Sequence, residues 1–471
     1  MKRKLLVSLT LLGSLVGLAG CNATRPDDSN VLSVLSDAAV YLYDFDDAGK
    51  AIEQAEADIA SGKKENTHKN QKLIVNTIIL KAWGDEKEMT VASKNWGWGD
   101  TLTQNLLAGF LAKDTPDIIS GETQLPEFVA KGYVEPFPDE LAEFIKTNVS
   151  PIAYKALEYE GKMYGISMTP SLSALFWNKK ILRDCGISET IIENGPSNWT
   201  ELEETMNTIH STKDSKGNFY NAGGVYVGSG GVNYGAFLRA DTLLASAGGS
   251  FVDETGKPNM VTTENETAYN FLINQQKYSA SNMLNTRAED NYFKYFNSGN
   301  MAYKIDGLWG LTEAKENNIE VGCCLMPTPD GTGERGTEVI GATYMAVSKF
   351  AKHKELAFEF IKLTLGEEIQ KNIARGGYRS PVLYSAIEEL GNKESEYYET
   401  YFDYYKTYAD YAATHDARTL PSFVLKKGSR SNIWSAVGNS LAQTNNPRNT
   451  LTALQLLQNA QNTMIKEWNK G

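Results

Sequence analysis

The sequence predicts an α/β protein with more than one domain, both from its local patterns and from its length. After Asp100, the residues Leu102, Leu106 and Phe110 recur at the spacing that places them on one face of a helix. The segment Pro116–Ile119 then runs from a turn into a short apolar strand. A helix, a tight turn and a strand in this order are typical of an α/β sheet. A chain of 471 residues exceeds what one hydrophobic core usually serves, so two or more domains are expected.

The N-terminus has the layout of a bacterial signal peptide. Three basic residues, Lys2 to Lys4, precede the apolar stretch Leu5–Leu18, which is shorter than the ~20 apolar residues of a membrane-spanning helix. The stretch ends in Leu18-Ala19-Gly20-Cys21, which resembles the lipobox of bacterial lipoproteins, although a cysteine can also fall there by chance. We therefore predict a signal peptide over residues 1–20, and a lipidated cysteine with a polar tether over residues 21–30.

The composition narrows the class of partner. The chain carries 46 Lys and Arg against 58 Asp and Glu, a net charge of −12, and loss of the three basic residues of the signal peptide makes it −15. An acidic surface argues against nucleic acid and anionic membranes as partners. Hydrophobic residues make up 41% of the chain, which is ample for a packed core. No later segment has the length and apolarity of a transmembrane helix.

Cysteines are few. Apart from Cys21 there are Cys185 and the adjacent pair Cys323 and Cys324. Neighbouring cysteines bridge poorly, because disulfide geometry requires separated Cα atoms. We expect all three to be small hydrophobic residues inside the protein rather than members of a disulfide.

Further elements follow from periodicity and from turn residues. The apolar, β-branched run 72–83 predicts a buried strand, and the spacing of Ile52, Ala55 and Ile59 predicts a helix before it. The other predictions are a hairpin over 159–166, a strand over 174–177, a helix from 196 capped by Ser197 or Thr200, a helix over 357–365, and a tyrosine-dense helix over 397–411.

Several of these segments, in this order, resemble one protein family. They are Trp96-Gly97-Trp98-Gly99-Asp100 with Asp114-Thr115-Pro116-Asp117-Ile118; Tyr159 to Ile166 with Phe176-Trp177-Asn178-Lys179 and Pro196 to Leu202; Phe296 to Ala302 with Gly307-Leu308-Trp309; and Met326-Pro327 with Gly341 to Ser348 and the helix at Ala357 to Leu365. Together they resemble the family 1 extracellular solute-binding proteins, the sugar-binding subunits of ABC importers. One departure is Ser171, because many oligosaccharide binders of the family carry an acidic residue there.

The resemblance implies a two-lobed fold of the periplasmic-binding-protein type, with a ligand cleft between the lobes and several hinge crossings. Lobe 1 is expected to comprise residues 31–170 plus 345–383, and lobe 2 residues 171–344 plus 384–471. The implied protein is an extracytoplasmic, lipid-anchored monomer held at the cell membrane, in the periplasm or on the outer face. It captures a mono- or oligosaccharide by hinge closure and delivers it to the membrane permease of an ABC importer.

A sugar presents hydroxyl groups around its rim and flat C–H faces, so its site requires aromatic platforms and planar polar groups. Aromatic and polar residues that meet this description can also simply pack in the core or face solvent, so the residues named next are candidates. The candidate platforms are Trp96, Trp98, Tyr234, Trp309, Tyr344 and Tyr378, the candidate hydrogen-bonding residues are Glu122, Gln124, Asn233 and Asp306, and Ser171 stands at the position of the family's acidic residue. Glycine beside Trp309 leaves backbone room for a ligand to approach.

Enzyme and cofactor motifs are weak. The run 331–336 matches G-x-G-x-x-G but leads into a strand-like segment, whereas a dinucleotide site needs a helix there. The four histidines lack metal-ligand spacing, so we expect no metal, no cofactor and no enzymatic activity. Two alternatives stay open at this stage, a secreted glycan-active hydrolase and a surface glycan-adhesion lipoprotein, because the separation of paired carboxylates in space is invisible in a sequence.

The lipidation prediction can be tested directly. Replacing Cys21 by Ser removes the thiol to which lipid would attach, so the variant is expected in the soluble fraction after cell fractionation. Membrane association of a processed Cys21→Ser protein would contradict the prediction. The matched control is Cys185→Ser, which changes a cysteine far from the signal peptide and should leave fractionation unchanged.

Overall fold

The structure is a computed structural model. It describes residues 28–35, 65–97, 99–121, 124–168, 170–253, 255–279, 281–286, 289–307, 314, 317–332, 339–341, 343–377, 381–392, 394, 418–419 and 430–470.

The described residues form strands and helices that alternate along most of the chain. The strands are β1 (Val31–Leu35), β2 (Thr90–Lys94), β3 (Ile118–Gly121), β4 (Val134–Glu135), β5 (Glu158–Tyr159), β6 (Lys162–Met163), β7 (Ser171–Leu172), β8 (Ala174–Asn178), β9 (Gly223–Gly224), β10 (Tyr303–Asp306), β11 (Val321–Cys324), β12 (Val339–Gly341), β13 (Tyr344–Ser348) and β14 (Arg418–Thr419). The helices are α1 (Glu65–Glu86), α2 (Gly99–Ala112), α3 (Leu125–Ala130), α4 (Asp139–Asn148), α5 (Lys179–Asp184), α6 (Glu189–Asn194), α7 (Trp199–Ser211), α8 (Tyr234–Ser246), α9 (Thr263–Gln275), α10 (Ser281–Leu284), α11 (Glu289–Asn297), α12 (Lys354–Thr364), α13 (Glu367–Gly377), α14 (Tyr384–Gly391), α15 (Arg430–Thr444) and α16 (Ala453–Trp468).

The first lobe is built on a five-stranded sheet in the order β2-β1-β3-β13-β4. The strands β1, β2 and β3 are parallel, and β13 runs antiparallel between β3 and β4. Successive residues belong to different core clusters: Ile118 packs on one face of the sheet and Ile119 on the other. Both faces are therefore covered, as expected for parallel strands with an apolar sequence.

The second lobe is built on a four-stranded sheet in the order β11-β8-β10-β9. The strand β8 is antiparallel to β10 and β11, and β9 is parallel to β10. Along β8, Leu175 and Trp177 belong to one core cluster while Ala174 and Phe176 belong to another. This sheet, too, is buried on both faces.

A small third sheet, in the order β14-β12-β7, joins the two lobes. The chain passes from β7 into β8 of the second lobe, and from β12 into β13 of the first lobe. The predicted lobe boundary between 170 and 171 falls at the start of β7, whereas the one between 344 and 345 falls after the first residue of β13. Both boundaries stay predictions.

A buried carboxylate, that of Asp117, links three elements of the first lobe by hydrogen bonds. Asp117, which is 2% exposed, precedes β3. Its Oδ2 accepts hydrogen bonds from the backbone N–H and the hydroxyl of Ser33 in β1, at 2.8 and 2.7 Å. Its Oδ1 accepts from the backbone N–H groups of Lys352 and His353, at 2.6 and 3.1 Å. The Pro-Asp turn of the sequence therefore links β1, β3 and the start of α12.

The predicted strand over 72–83 is wrong, because this run lies inside the helix α1. The buried residues Asn76, Thr77 and Leu80 recur at helical spacing, and the helix packs against α13. Asn76 donates to the carbonyl of Ile369 at 3.2 Å and accepts from the side chain of Asn372 at 3.1 Å. Tertiary packing on a partner helix thus overrides the β-branched composition. The first strand of the sheet is β1 instead.

The cap predicted for the helix near residue 196 is also corrected. α7 begins at Trp199, and its cap is Asn198, whose side chain accepts from the Glu201 N–H at 2.8 Å, rather than Ser197 or Thr200.

Other local predictions are confirmed. The hairpin lies at β5 and β6, with Glu160 and Gly161 both at positive φ in its turn. The predicted strand over 174–177 is β8, and α12 covers most of 357–365. The predicted helices at 52–59 and 397–411 lie outside the described residues.

The three cysteines after Cys21 are thiols rather than members of a disulfide, as predicted. Cys185 is buried, which raises the pKa of its thiol to about 11, and Cys323 and Cys324 are half-buried in β11.

The role of Asp117 yields a stability prediction. Asp117→Asn replaces one acceptor oxygen by an NH₂ group that faces backbone donors, so we expect the free energy of unfolding to fall by about 3 kcal/mol. Urea denaturation measures this change. The matched control is Asp139→Asn, an exposed residue in the first turn of α4, which should cost less than about 1 kcal/mol. Equal midpoints for the two variants would contradict the structural role of Asp117.

Candidate functional site

The candidate site lies where both large sheets adjoin the hinge strands. In the first lobe, the parallel strands point their carboxyl ends to the edge where β13 begins, since Tyr344 pairs with Gly121. In the second lobe, β10 ends at Asp306, opposite Ala174, which follows β7 closely. We call these two regions the hinge-facing edges. Ligands of open α/β sheets bind beyond the carboxyl ends of strands, so the two edges are the expected place for a ligand.

Trp96 follows β2 at the first of these edges. It borders an open cavity of about 500 Å³, shared with Asn95, Thr101 and Asn105. The side chain of Asn105 donates to the Trp96 carbonyl at 2.8 Å. The indole is half-buried against the core of the first lobe, and a Cβ atom at Gly109 would lie 3.0 Å from its outer edge. One side of Trp96 is therefore held by packing while the residue still faces open space.

Gln124 and Tyr344 meet at the same edge, but as buried groups. They are 1% and 0% exposed. The amide of Gln124 donates to the hydroxyl of Thr103 in α2 at 2.8 Å. A Cβ atom at Gly121 would lie 2.6 Å from the Tyr344 hydroxyl oxygen and 2.8 Å from the Gln124 amide oxygen, so only glycine leaves room for both. The structure brings these two predicted residues together, and their contact with a ligand stays a prediction.

Asn233 and Tyr234 form the start of α8 at the edge of the second lobe. The side chain of Asn233 caps the helix by accepting from the Ala236 N–H at 3.0 Å. Tyr234 is half-buried, and its ring makes edge contacts with Phe237 and Trp434 at centroid distances of 5.9 and 6.0 Å. These contacts fix the ring plane, which is what a stacking platform requires.

Asp306 ends β10 and is fully buried in an ion cluster. One carboxylate oxygen accepts from Arg239 at 2.9 Å and from the Gly307 N–H at 2.9 Å. The other accepts from Lys304 at 2.8 Å. The same guanidinium also pairs with Glu289, at the start of α11, at 2.6 Å. In the described part of this edge, the charges of two cations and two carboxylates therefore cancel, and Asp306 is directed inwards.

The environment of Arg239 keeps it charged. Burial acts to lower the pKa of Arg239, but the charges of Glu289 and Asp306 outweigh this effect and raise the pKa above its usual value. The guanidinium also lies 5.2 and 5.3 Å from the ring centroids of Tyr292 and Phe293. Burial raises the pKa of the Tyr292 phenol, so this residue stays neutral.

Sequence reasoning missed Arg239 and Glu289. A signal for the first was present, because Arg239 stands inside the apolar helix segment from Phe237 to Leu244, where a cation requires a buried partner. Glu289 carries no comparable signal, since its partner is distant in sequence. Several predicted site residues lie outside the described residues: Trp98, Glu122, Trp309 and Tyr378. Ser171 is described by its backbone, which pairs with Gly341 in the hinge sheet.

A larger cavity, of about 670 Å³, lies at the opposite end of β8, lined in part by Asn178, Tyr220 and Glu320. It is remote from the hinge-facing edges and contains none of the predicted site residues. Within the described ranges, the structure holds no cluster of His, Cys, Asp or Glu side chains suited to a metal ion. No helix in that part of the chain has the length and apolarity to cross a membrane.

Two solved structures share this fold. An ABC transporter solute-binding protein from Thermotoga lettingae TMO with bound α-D-tagatose has a TM-score of 0.65 and 17% identity, with 83% of this chain and 95% of that chain covered. The maltose/maltodextrin-binding domain MalE from Bdellovibrio bacteriovorus with bound maltotriose has a TM-score of 0.64 and 19% identity, with 83% and 95% covered. The predicted two-lobed α/β fold is thereby confirmed.

Sequence comparison also relates this chain to solute-binding proteins. The diacetylchitobiose binding protein DasA of Streptomyces coelicolor is 24% identical over 386 residues, which are 80% of this chain and 81% of the relative. A family model described as "Bacterial extracellular solute-binding protein" matches residues 88–371, more than half of the chain and including parts of both sheets. The chain therefore belongs to the bacterial extracellular solute-binding protein family.

Proposed function

We propose that this protein is the substrate-binding lipoprotein of an ABC importer, and that it captures a carbohydrate between its lobes. The observation that carries the proposal is the composition of the two hinge-facing edges in a chain of this family. A half-buried tryptophan, Trp96, borders open space on one edge, and a half-buried tyrosine with a fixed ring, Tyr234, stands on the other. Aromatic faces of this kind suit the C–H faces of sugar rings.

The ligand class is also supported by what related proteins bind. The relatives named above are a diacetylchitobiose binder, a tagatose complex and a maltotriose complex. Their ligands differ in length and in sugar, but all are polyhydroxylated and none carries a fixed cation. The balanced charges around Arg239 likewise favour a neutral ligand.

The proposed mechanism is hinge closure. Residues 31–170 plus 345–383 act as lobe 1 and residues 171–344 plus 384–471 as lobe 2, and the strands β7 and β12 carry the chain between them. A sugar that contacts both hinge-facing edges binds the closed state better than the open one, so it shifts the population towards closure. The permease subunits then recognise the closed form. Cys21 anchors the protein by lipid on the extracytoplasmic side of the membrane.

The first experiment screens a carbohydrate library for an increase in melting temperature, with diacetylchitobiose, maltotriose and tagatose as named probes. A ligand at 100 times its Kd that binds only the native state stabilises it by about 2.7 kcal/mol. We expect at least one saccharide to raise the melting temperature, and small-angle scattering to show a smaller radius of gyration with it. Unchanged scattering would favour an adhesion protein, and new products in the mixture would favour a hydrolase. A library without any hit would overturn the proposal.

Trp309 remains the platform we propose from the sequence. Trp309→Ala should leave the free energy of unfolding nearly unchanged and remove about 1–3 kcal/mol of binding free energy, the contribution of one buried apolar side chain. Calorimetric titration and urea denaturation of one variant measure both quantities.

Trp434→Ala is the matched control for Trp309→Ala. Trp434 is fully buried and stacks on Phe237 at 4.4 Å, so its loss should cost about 3–5 kcal/mol of stability. If Trp309→Ala behaves like this control and binds normally per folded molecule, Trp309 is a packing residue.

A further inference from the structure

Arg239 holds two carboxylates in different environments. Both side chains of the Arg239–Asp306 pair are 0% exposed, whereas Glu289, on the other side of the guanidinium, is 32% exposed. Among the described residues, Arg239 is the one hydrogen-bond or ion-pair partner of the Glu289 carboxylate. An ionised carboxylate has about four acceptor positions, and the described part of the chain occupies only those of Glu289 that face Arg239.

The position of Glu289 depends on a glycine. A Cβ atom at Gly235, the second residue of α8, would lie 2.2 Å from Glu289 Oε2 and 2.8 Å from Oε1. The carboxylate therefore occupies the volume that any other side chain at 235 would fill. The Gly235 carbonyl also accepts from Arg239 at 2.9 Å, which fixes the guanidinium over the same turn.

This turn lies at the hinge-facing edge of the second lobe. Gly235 follows Tyr234 directly, and α8 contacts the hinge strand β12. Asp306, on the far side of Arg239, ends β10 at the same edge. Glu289 thus places an oriented, partly exposed carboxylate at the first turn of α8, the turn that begins with Tyr234.

Charge balance decides which ligand group such a carboxylate can serve. Among the described residues, Arg239 and Lys304 neutralise Asp306 and Glu289, so this cluster carries no excess negative charge that would attract a cation. A neutral hydroxyl group, in contrast, donates a hydrogen bond to a carboxylate without changing the charge. Vicinal hydroxyls of a sugar suit two acceptor positions of one carboxylate.

We propose that Glu289 is a ligand-contacting residue that accepts hydrogen bonds from sugar hydroxyls, and that Arg239 and Gly235 are positioning residues for its carboxylate. The inference rests on the proposed function and adds to it a specific residue in the second lobe. It also distinguishes the two carboxylates: Asp306 supports Arg239 from within, and Glu289 faces the ligand.

Two variants test the proposal in different ways. Glu289→Gln keeps the shape of the side chain and removes its charge, and Gly235→Ala leaves Glu289 intact but displaces its carboxylate. Because that carboxylate ends a flexible side chain, Gly235→Ala should still fold, and urea denaturation measures the stability lost through its weakened pairing with Arg239. With maltotriose, diacetylchitobiose or tagatose, whichever binds the wild type, we expect both variants to raise Kd roughly 10- to 100-fold.

The matched control is Glu320→Gln. Glu320 pairs with Arg183 through two contacts of 2.5 and 2.8 Å at the remote end of the second lobe. This variant also removes a carboxylate from an arginine pair, and it should bind the same saccharide with unchanged Kd.

Monodeoxy derivatives of the bound saccharide supply a readout that a structural role would not change. Removing the contacted hydroxyl should weaken binding to the wild type but not to Glu289→Gln, because the two changes remove one interaction. An unchanged Kd in both variants, or equal sensitivity to every deoxy position in wild type and Glu289→Gln, would overturn the inference while the proposed function stands. If no saccharide binds the wild type, the proposed function fails and the inference fails with it.

Discussion

The buried guanidinium of Arg239 is the interaction on which the hinge-facing edge of the second lobe depends. It connects three elements that are distant in sequence, because it bonds to α8, to the end of β10 and to the first residue of α11. Removing one partner of a buried ion pair leaves an uncompensated charge, which is strongly destabilising. The positions of Gly235, Asp306 and Glu289 therefore depend on one another through Arg239.

In the first lobe, too, a buried charged side chain links elements that are distant in sequence, but its partners are of a different kind. Asp117 is as deeply buried as Asp306, yet its described partners are N–H and hydroxyl donors rather than cations. It links the start of β3 to the middle of β1 and to the residues just before α12, at the end of the sheet opposite to Tyr344. Asp306 instead lies directly behind the candidate site. A rigid sheet in one lobe and a rigid site wall in the other are what a binding protein needs if the hinge alone is to move.

Patterns within short stretches of sequence were sufficient to predict the elements that are defined by turn residues or by apolar runs. The hairpin at Glu160 and Gly161 and the strand β8 follow from turn residues and apolar runs, and the family resemblance gave the two-lobed arrangement. The prediction of a strand over 72–83 failed because the burial of this segment is decided by contacts of Asn76 with Ile369 and Asn372. These residues are almost 300 positions away, so no local window of sequence contains them. The sequence indicated Asp306 as a polar residue near the site. For the same reason it did not indicate that Arg239 and Lys304 neutralise Asp306, or that Glu289 is the partly exposed partner of Arg239.

The placement of β13 has a consequence for how the protein folds. β13 lies between β3 and β4, so residue 347 pairs with residues 118 and 135, and the whole second-lobe sheet intervenes in sequence. During synthesis the sheet of the first lobe stays open in its middle until β13 has emerged. Contacts of such long sequence separation slow folding, because loop-closure entropy must be overcome before they form. The N-terminal lobe is consequently expected to mature after the strands of the second lobe, although its first strands are made first.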